Sequence, residues 1–172
     1  MAQIQTLSAT PTRSGIPQKL CGFDSLVDAL AYAARGASGC NFYNGRGQLT
    51  CALTYAELLA QSQGLARHLV ALGLPRGSRI GILADTNPLF HRFFFACQFA
   101  GLVPVALPAG FQLGGGEAYV AQLRRLLQGC GANAAVAPES HVNFLRRAAE
   151  GLPLTLVGTA EEFEAVPAAQ AL

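Results

Sequence analysis

In the middle of the chain, the spacing of hydrophobic residues changes from a short continuous run to a helical repeat and back to a short continuous run. The run Ile80–Ala84 is short, apolar and β-branched at its start, as in a buried strand. After the polar turn 85–87, aromatic and small residues recur at helical spacing as far as Gly101. Val103–Leu107 then predicts a second buried strand. Strand, helix and strand within about thirty residues predict a βαβ unit with parallel strands and a right-handed crossover.

The same alternation continues toward the C-terminus. It predicts a helix opening at Glu117, a strand over Ala134–Ala137, a helix starting at Glu139 or Ser140, a strand over Leu154–Val157 and a last helix from Thr159. Repeated strand–helix pairs are typical of α/β proteins, in which helices cover a parallel sheet. We therefore predict a three-layer α/β fold, with a mostly parallel open sheet and helices on both faces.

Different elements are expected before this sheet. Residues 1–20 are polar and predict a loose or peripheral leader, so that 21–172 form the α/β domain. Asp24 or Ser25 is expected to cap a first helix. Two apolar segments around Asn44–Gly47 predict a small antiparallel hairpin. Thr54 and Glu57 then have the spacing of a capping box, which predicts the start of a helix that ends at Gly73.

The composition limits the class of protein. Half of the 172 residues are hydrophobic and 13% are charged, which is too apolar for a disordered chain. The net charge of +2 indicates no partner. The basic pairs Arg124–Arg125 and Arg146–Arg147 are expected on solvated helix faces, so no nucleic-acid partner is predicted.

The five cysteines, scattered and without metal-ligand spacing, are expected to be small buried hydrophobes in a reducing cytosol. The start of the chain lacks the apolar core of a secretory signal, and no apolar run is long enough to span a bilayer. We therefore expect a cytoplasmic protein without a membrane span.

Candidate binding residues come from the rule that open α/β sheets bind ligands beyond the carboxyl ends of their strands. This rule selects Asp85, Asn87, Gly110 and Phe111 as weak candidates, although turn and cap residues occupy such positions more often. The triplet Gly114–Gly116 precedes a helix and could hold an anion. No phosphate-loop or dinucleotide fingerprint accompanies it, so a flexible connection is the ordinary interpretation.

The remaining polar residues indicate no chemistry. His68, His91 and His141 stand alone on predicted helices without acidic or thiol partners at ligand spacing, so no metal site is predicted. Glu161, Glu162 and Glu164 are expected to form a solvated helix end. Residue types and spacing alone therefore predict a fold and no catalytic residue.

Three segments, in order, resemble motifs of the adenylate-forming superfamily of acyl-CoA synthetases, peptide-synthetase adenylation domains and luciferases. Leu53–Leu58 matches its first core motif, L-[TS]-Y-x-E-L. The segment from Gly77 to Phe90 is similar to its G-D-R-V-x-I-x-x-x-N-x-x-x-F phrase, and Phe99–Val105 resembles its second core motif. Leu107–Arg124 is similar to a phrase of the fatty acyl-AMP ligase branch, with Gln112 and Leu113 departing from it.

The resemblance implies a two-step ligase. A fatty acid or another carboxylic acid attacks ATP, with Mg²⁺, to give an acyl-adenylate. A thiol of CoA or of an acyl carrier protein then accepts the acyl group. The family's phosphate loop ending in P-K-G, its nucleotide-binding motifs and its lysine-bearing last domain are not among these residues. The resemblance thus implies an N-terminal subdomain of a longer enzyme, inactive by itself, which contacts the remaining subdomains and could self-associate through a face they would cover.

Two other hypotheses remain open at this stage. The chain could be a free-standing flavodoxin-like binding module that uses 108–116 as its contact loop. It could also be a nucleotide-binding protein that uses Gly114–Gly116.

Overall fold

A computed structural model of the chain describes residues 8–11, 13–110 and 115–172. The elements run α1 (Leu26–Ala33), β1 (Gly39–Tyr43), β2 (Leu49–Thr54), α2 (Tyr55–Ala71), β3 (Arg79–Ala84), α3 (Pro88–Phe99), β4 (Val103–Pro108), α4 (Gly115–Cys130), β5 (Ala132–Val136), α5 (Val142–Ala149), β6 (Leu156–Gly158) and α6 (Ala160–Glu164). They form two compact units. The first contains the described residues up to Gln61 and Thr86–Pro88, and the second contains Ser62–Asp85 and Leu89–Leu172.

The first unit is built on the predicted hairpin. Strands β1 and β2 pair antiparallel, and their turn is held by the side-chain oxygen of Asn44. This oxygen accepts hydrogen bonds from the backbone amides of Arg46 at 2.9 Å and Gln48 at 3.0 Å. Gly47 has a φ of 73°, a left-handed conformation that glycine adopts without steric cost. The hairpin prediction is confirmed.

The leader residues that the structure describes are hydrogen-bonded to the first unit. The backbone amide of Thr10 donates to the side-chain oxygen of Asn41 in β1 over 2.8 Å. The hydroxyl of Tyr32 in α1 donates to the backbone oxygen of Pro17 over 2.7 Å. These contacts hold the leader against α1 and β1, and a domain boundary near residue 20 stays a prediction.

The second unit contains a four-stranded sheet in the order β4-β3-β5-β6. Each adjacent pair of these strands is parallel. Ile80 of β3 lies opposite Pro104 of β4 on one side and Ala134 of β5 on the other. The predicted α/β fold, with β3 and β4 side by side in the same direction, is confirmed.

Helices bury both faces of this sheet. Alternate residues of each strand point to opposite faces, so each strand contributes side chains to two cores. Ile80 and Ile82 join a core with α2, α3 and α6, in which Leu69, Phe93 and Phe163 are fully buried. Leu83 joins the opposite core with α4 and α5, whose fully buried members include Tyr119, Leu123, Leu127 and Leu145. The predicted three layers are therefore present.

Gly81 lies between Ile80 and Ile82, where a helix approaches the sheet closely. A Cβ atom at this position would lie 2.9 Å from Cδ1 of Leu107 and 3.2 Å from Cδ2 of Leu127. These distances are below ordinary van der Waals contact. The missing side chain of Gly81 therefore lets α4 pack against β3.

Strand β4 lies at one edge of the described sheet. The amide of Val103 donates to the oxygen of Ser78, so Val103, Val105 and Leu107 direct their backbone groups toward β3. The residues that face outward are Pro104, Ala106 and Pro108. Because proline has no amide hydrogen, Ala106 supplies the single outward N–H donor of β4.

Several element starts differ from the predictions, among them that of β5, which begins at Ala132 instead of Ala134. Helix α4 begins at Gly115 instead of Glu117, so Gly115 and Gly116 are helical, while Gly114 lies outside the described residues. Helix α5 has His141 as its N-cap instead of Glu139 or Ser140, because the amides of His141 and Val142 donate to the oxygen of Pro138 in a turn. Strand β6 begins at Leu156, since the Leu154 amide turns back to the oxygen of Leu152.

The helix caps agree with the predictions more closely than these element starts do. Ser25 caps α1, and its hydroxyl accepts the amide of Asp28 over 3.2 Å. The predicted box at α2 is confirmed: the Thr54 amide donates to the carboxylate of Glu57 over 2.8 Å, and the Glu57 amide donates to the Thr54 hydroxyl over 3.1 Å. Gly73 follows α2 with a φ of 67°.

One prediction about side chains is incomplete and another is wrong. Glu162 and Glu164 are exposed, as predicted, but they also have partners: Glu162 accepts the amide of Thr159 in a capping box and pairs with Arg146 at 2.6 Å, while Glu164 pairs with Arg92. The cysteines are not uniformly buried, because Cys97 is buried and Cys21 is exposed.

Candidate functional site

The carboxyl ends of β3 and β4 bring two of the candidate residues to one edge of the sheet. Ala84 and Pro108, the last residues of these strands, are paired neighbours. Asp85 follows the first and is exposed, and Gly110 follows the second by two residues, with a φ of 103°. Parallel pairing therefore places both candidates at the same edge, where the fold class binds ligands.

Tyr119 of α4 links these two strand ends. Its side chain is 1% exposed, and its hydroxyl donates to the backbone oxygen of Pro108 over 2.9 Å. Burial raises the pKa of Tyr119, a hydrogen bond with the backbone of Gly110 opposes this rise, and the charge of Asp85 adds to it. A buried tyrosine needs a partner for its hydroxyl, and this need was the signal in the sequence.

The first turn of α4 and helix α5 complete this edge. The rings of Tyr119 and Phe144 meet edge to face with centroids 5.8 Å apart. A Cβ atom on Gly116 would lie 3.3 Å from the Phe144 ring, so a helical glycine permits this close approach. Arg147 pairs with Glu117 at 2.5 Å, and this hydrogen bond raises the pKa of Arg147.

The other candidates lie elsewhere or outside the described residues. Asn87 precedes Pro88, the first residue of α3, and belongs to the first unit. Phe111 lies outside the described residues. A ligand-binding role for Asp85, Asn87, Gly110 and Phe111 stays a prediction.

The three histidines lie on or next to three different helices, α2, α3 and α5. The Nδ1 atom of His68 lies 2.6 Å from the backbone oxygen of Val166, and that of His141 lies 2.8 Å from the Ser140 hydroxyl. His91 lies in α3 with its ring against Phe90.

No group of three or more metal-ligating side chains occurs within residues 8–11, 13–110 and 115–172. Asp85 alone does not provide the oxygen ligands that Mg²⁺ requires, so no chemical step of this chain is assigned to a metal. None of the helices in the described part of the chain has the length and hydrophobicity needed to cross a membrane.

Comparison with known proteins identifies the family. A family model described as AMP-binding enzyme matches residues 33–170. The chain belongs to the AMP-binding enzymes. The match spans parts of both units, from the last residue of α1 through α6, and it includes Asp85, Gly110 and Tyr119.

Relatives of this AMP-binding chain include proteins named as CoA synthetases and synthases. A protein of Caulobacter vibrioides (strain NA1000 / CB15N) that carries the name acyl-CoA synthetase is 42% identical over 132 residues, which cover 77% of this chain and 23% of the relative. A feruloyl-CoA synthase of Amycolatopsis is 35% identical over 100 residues, covering 58% of this chain and 19% of the relative. The chain therefore spans about a quarter of the length of the curated relatives it matches, or less.

Solved structures support the same family. A structure from a study of fatty acyl-adenylate ligases from E. coli and L. pneumophila superposes with a TM-score of 0.80 at 36% identity, over 87% of this chain and 27% of that one. An adenylation domain of a keto acid-selecting peptide-synthetase module superposes with a TM-score of 0.70 at 21% identity, over 87% of this chain and 28% of that one, which shows the shared fold. This AMP-binding chain thus has the α/β fold of part of a fatty acyl-adenylate ligase.

Proposed function

We propose that this chain is the N-terminal subdomain of a longer, ATP-dependent ligase that activates a fatty acid as an acyl-adenylate. The observation that carries the proposal is the superposition on the fatty acyl-adenylate ligase structure, with a TM-score of 0.80 at 36% identity over 87% of this chain. The proposed division is a leader over 1–20 and an α/β subdomain over 21–172.

The proposed reaction has two steps. A carboxylate oxygen attacks the α-phosphorus of ATP, the bond to the β-phosphate oxygen breaks, and pyrophosphate leaves. A thiol of CoA or of an acyl carrier protein then attacks the acyl carbon and releases AMP. Mg²⁺, held elsewhere in the longer enzyme, would screen the phosphate charge.

The described residues would contribute support at this site without taking part in the chemistry. Tyr119 holds the backbone of Pro108 and Gly110 at the carboxyl edge, beside the charge of Asp85. Asp85, Asn87, Gly110 and Phe111 would be the contacts of this subdomain to a ligand held mainly by later residues. A buried hydrogen-bonded side chain fixes such a backbone more firmly than a loop alone could.

Pyrophosphate exchange tests the proposal. The purified 172-residue chain, given ATP, Mg²⁺ and a fatty acid, is expected to show no exchange of labelled pyrophosphate into ATP, because the P-K-G loop is not among its residues. The protein that continues the reading frame is expected to show exchange. Exchange by the 172 residues alone would contradict the inactive-subdomain proposal, and no exchange by the longer protein with any carboxylic acid would contradict the ligase proposal.

The thiol that accepts the acyl group, the cellular location and self-association are further parts of this proposal. A longer enzyme loaded with labelled fatty acid is expected to transfer the label to CoA or to a phosphopantetheine-bearing carrier protein, and a cytoplasmic location is proposed for it. Self-association of the isolated chain is also proposed, because apolar side chains such as that of Val103 are exposed. Sedimentation velocity over a range of concentrations measures this association.

A further inference from the structure

The amino edge of the sheet, opposite the candidate site, contains a cavity. It has a volume of about 310 Å³. It lies between the end of α4, the start of β5 and the segment before β6, and it is lined by Leu127, Gln128, Gly131, Ala132, Leu152, Pro153 and Leu154. Its walls are mainly aliphatic, and its size lies at the lower end of the range typical of small-molecule sites.

A register shift in the sheet places a cation beside this cavity. Arg79 of β3 pairs with Ala132, whereas the next residue, Ile80, pairs with Ala134. Asn133 is therefore the extra residue of a bulge, and its side-chain oxygen accepts the backbone amide of Arg79 over 2.9 Å. Bulges of this kind redirect neighbouring side chains at sheet edges.

The guanidinium of Arg79 lies beside Gly131, a residue of the cavity wall, although Arg79 itself is not part of the lining. Its Nη1 atom is 3.5 Å from the position that a Cβ atom on Gly131 would occupy, and Gly131 lines the cavity. Within the described residues, the ion pairs use Arg92, Arg146 and Arg147 but not Arg79. The Arg79 side chain is exposed and has no carboxylate partner in this part of the chain.

A purely structural role for Arg79 would be to cap the C-terminal end of α4, whose last turn has no basic residue. Arg124 shows what such a role looks like, because its guanidinium donates to the backbone oxygens of Ala148 and Glu150 at the end of α5. No hydrogen bond of this kind joins the Arg79 guanidinium to the described carbonyls of α4. Its donors are therefore available to a ligand.

We infer that this edge binds a small monocarboxylate with a short apolar body. The carboxylate would pair with the planar fork of Arg79, which matches two carboxylate oxygens. The apolar body would contact Leu127, Leu152 and Leu154. This site lies at the other end of β3 from Asp85, about 20 Å away along an extended strand, so it is distinct from the candidate ligase site.

Comparing the binding of hexanoate with that of 1-hexanol to the purified 172-residue chain tests for this site. Titration followed by ¹H–¹⁵N correlation spectra is expected to move the amide signals of 127–132 and 152–154 with hexanoate. The same signals are expected to respond to hexanol with a dissociation constant about tenfold weaker or more, because hexanol lacks the charge-assisted hydrogen bonds. Hexanol binding equal to hexanoate, or signal changes confined to Asp85, Gly110 and Tyr119, would overturn the inference.

A matched pair of variants adds a second measurement. Arg79→Gln is expected to weaken hexanoate binding by about tenfold or more. Arg76→Gln removes a cation from the same edge, where Arg76 lies against Gly101 instead of the cavity, and is expected to change binding by less than about twofold. Retained binding by Arg79→Gln contradicts the inference, and if that variant does not fold, the comparison of hexanoate with hexanol decides. Neither result depends on the adenylation activity of a longer protein.

Discussion

The hydroxyl of Tyr119 donates a hydrogen bond to the backbone oxygen of Pro108 over 2.9 Å, and this contact joins α4 to the end of β4. The residues between them include 111–114, which lie outside the described part of the chain. A side chain thus connects the strand to the helix that follows it. Because Gly110 also contacts this hydroxyl, the conformation of the backbone after β4 depends on one phenol.

Tyr119→Phe is expected to lower the free energy of unfolding by about 1 kcal/mol, since one hydrogen bond is lost and Pro108 stays within reach of water. Hydrogen exchange at the Gly110 amide is expected to accelerate by more than at the β3 amides. Urea unfolding and exchange measured by NMR test both effects. Tyr43→Phe, at an exposed tyrosine, is the control. Equal exchange at Gly110 in both variants would show that the hydroxyl does not hold this turn.

Gly81→Ala is expected to destabilise the chain by about 1–3 kcal/mol, because the new methyl group would overlap Leu107 and Leu127. Gly64→Ala is the matched control: Gly64 lies within α2, and a Cβ atom there would meet no atom within 4 Å. That variant is expected to stabilise the chain by about 0.5–1 kcal/mol, because alanine favours helix. Thermal and urea unfolding measure both changes, and effects of the same sign would contradict the packing explanation.

The pKa of Glu57 is expected to lie below its ordinary value of 4.5, because the backbone amide of Thr54, and then its hydroxyl, hydrogen-bond to the ionised carboxylate. A lowered pKa contributes stability that is present above pH 4.5 and is lost as the pH falls through the folded value. NMR titration of the Glu57 carboxyl measures the shift. Thr54→Ala removes the hydroxyl, is expected to raise this pKa toward 4.5, and costs about 1 kcal/mol of stability through the lost cap. An unchanged pKa of Glu57 in Thr54→Ala would show that the backbone amide alone, without the hydroxyl, lowers this pKa.

Cys21 and Cys97 are expected to react with a thiol reagent at very different rates. Burial raises the pKa of Cys97 to about 12, whereas Cys21 is exposed. Keeping Cys97 protonated contributes stability that is present below its ordinary pKa of 9.0 and is lost as the pH rises toward 12. At pH 8, Ellman's reagent is expected to label Cys21 within minutes and Cys97 only as the chain unfolds. Cys21→Ser should remove the fast phase, and rapid labelling of Cys97 in the native chain would contradict its burial.

Local chemistry explains which elements the sequence could predict. The box of Thr54 and Glu57, the turn at Asn44 and the glycine after α2 act within a few residues of themselves, so their residue types specify the structure directly. The strand pair Ile80–Ala84 and Val103–Leu107 also follows from local spacing, because a helix of that length returns the chain to the same sheet. These parts of the fold were predicted from sequence.

Long-range contacts explain what the sequence did not reveal. The insertion of β5 between β3 and β6 depends on packing across the whole sheet, which no local pattern encodes. Glu162 and Glu164 found partners in α5 and α3, residues 16 and 72 positions away, so they could only be predicted as solvated. The role of Tyr119 was missed for the same reason, because its hydroxyl partner became visible only in three dimensions.

Prolines at 104 and 108 leave the outer side of β4 with one amide donor, at Ala106. An incoming strand needs a regular series of donors to extend a sheet, so another chain cannot readily form backbone hydrogen bonds with the outer side of β4. Fibrillar growth from this side is thereby disfavoured, and growth of the sheet would have to proceed from the three-residue strand β6 at the far end. The chain can therefore carry a highly apolar core at high concentration with little tendency to form amyloid-like polymers along β4.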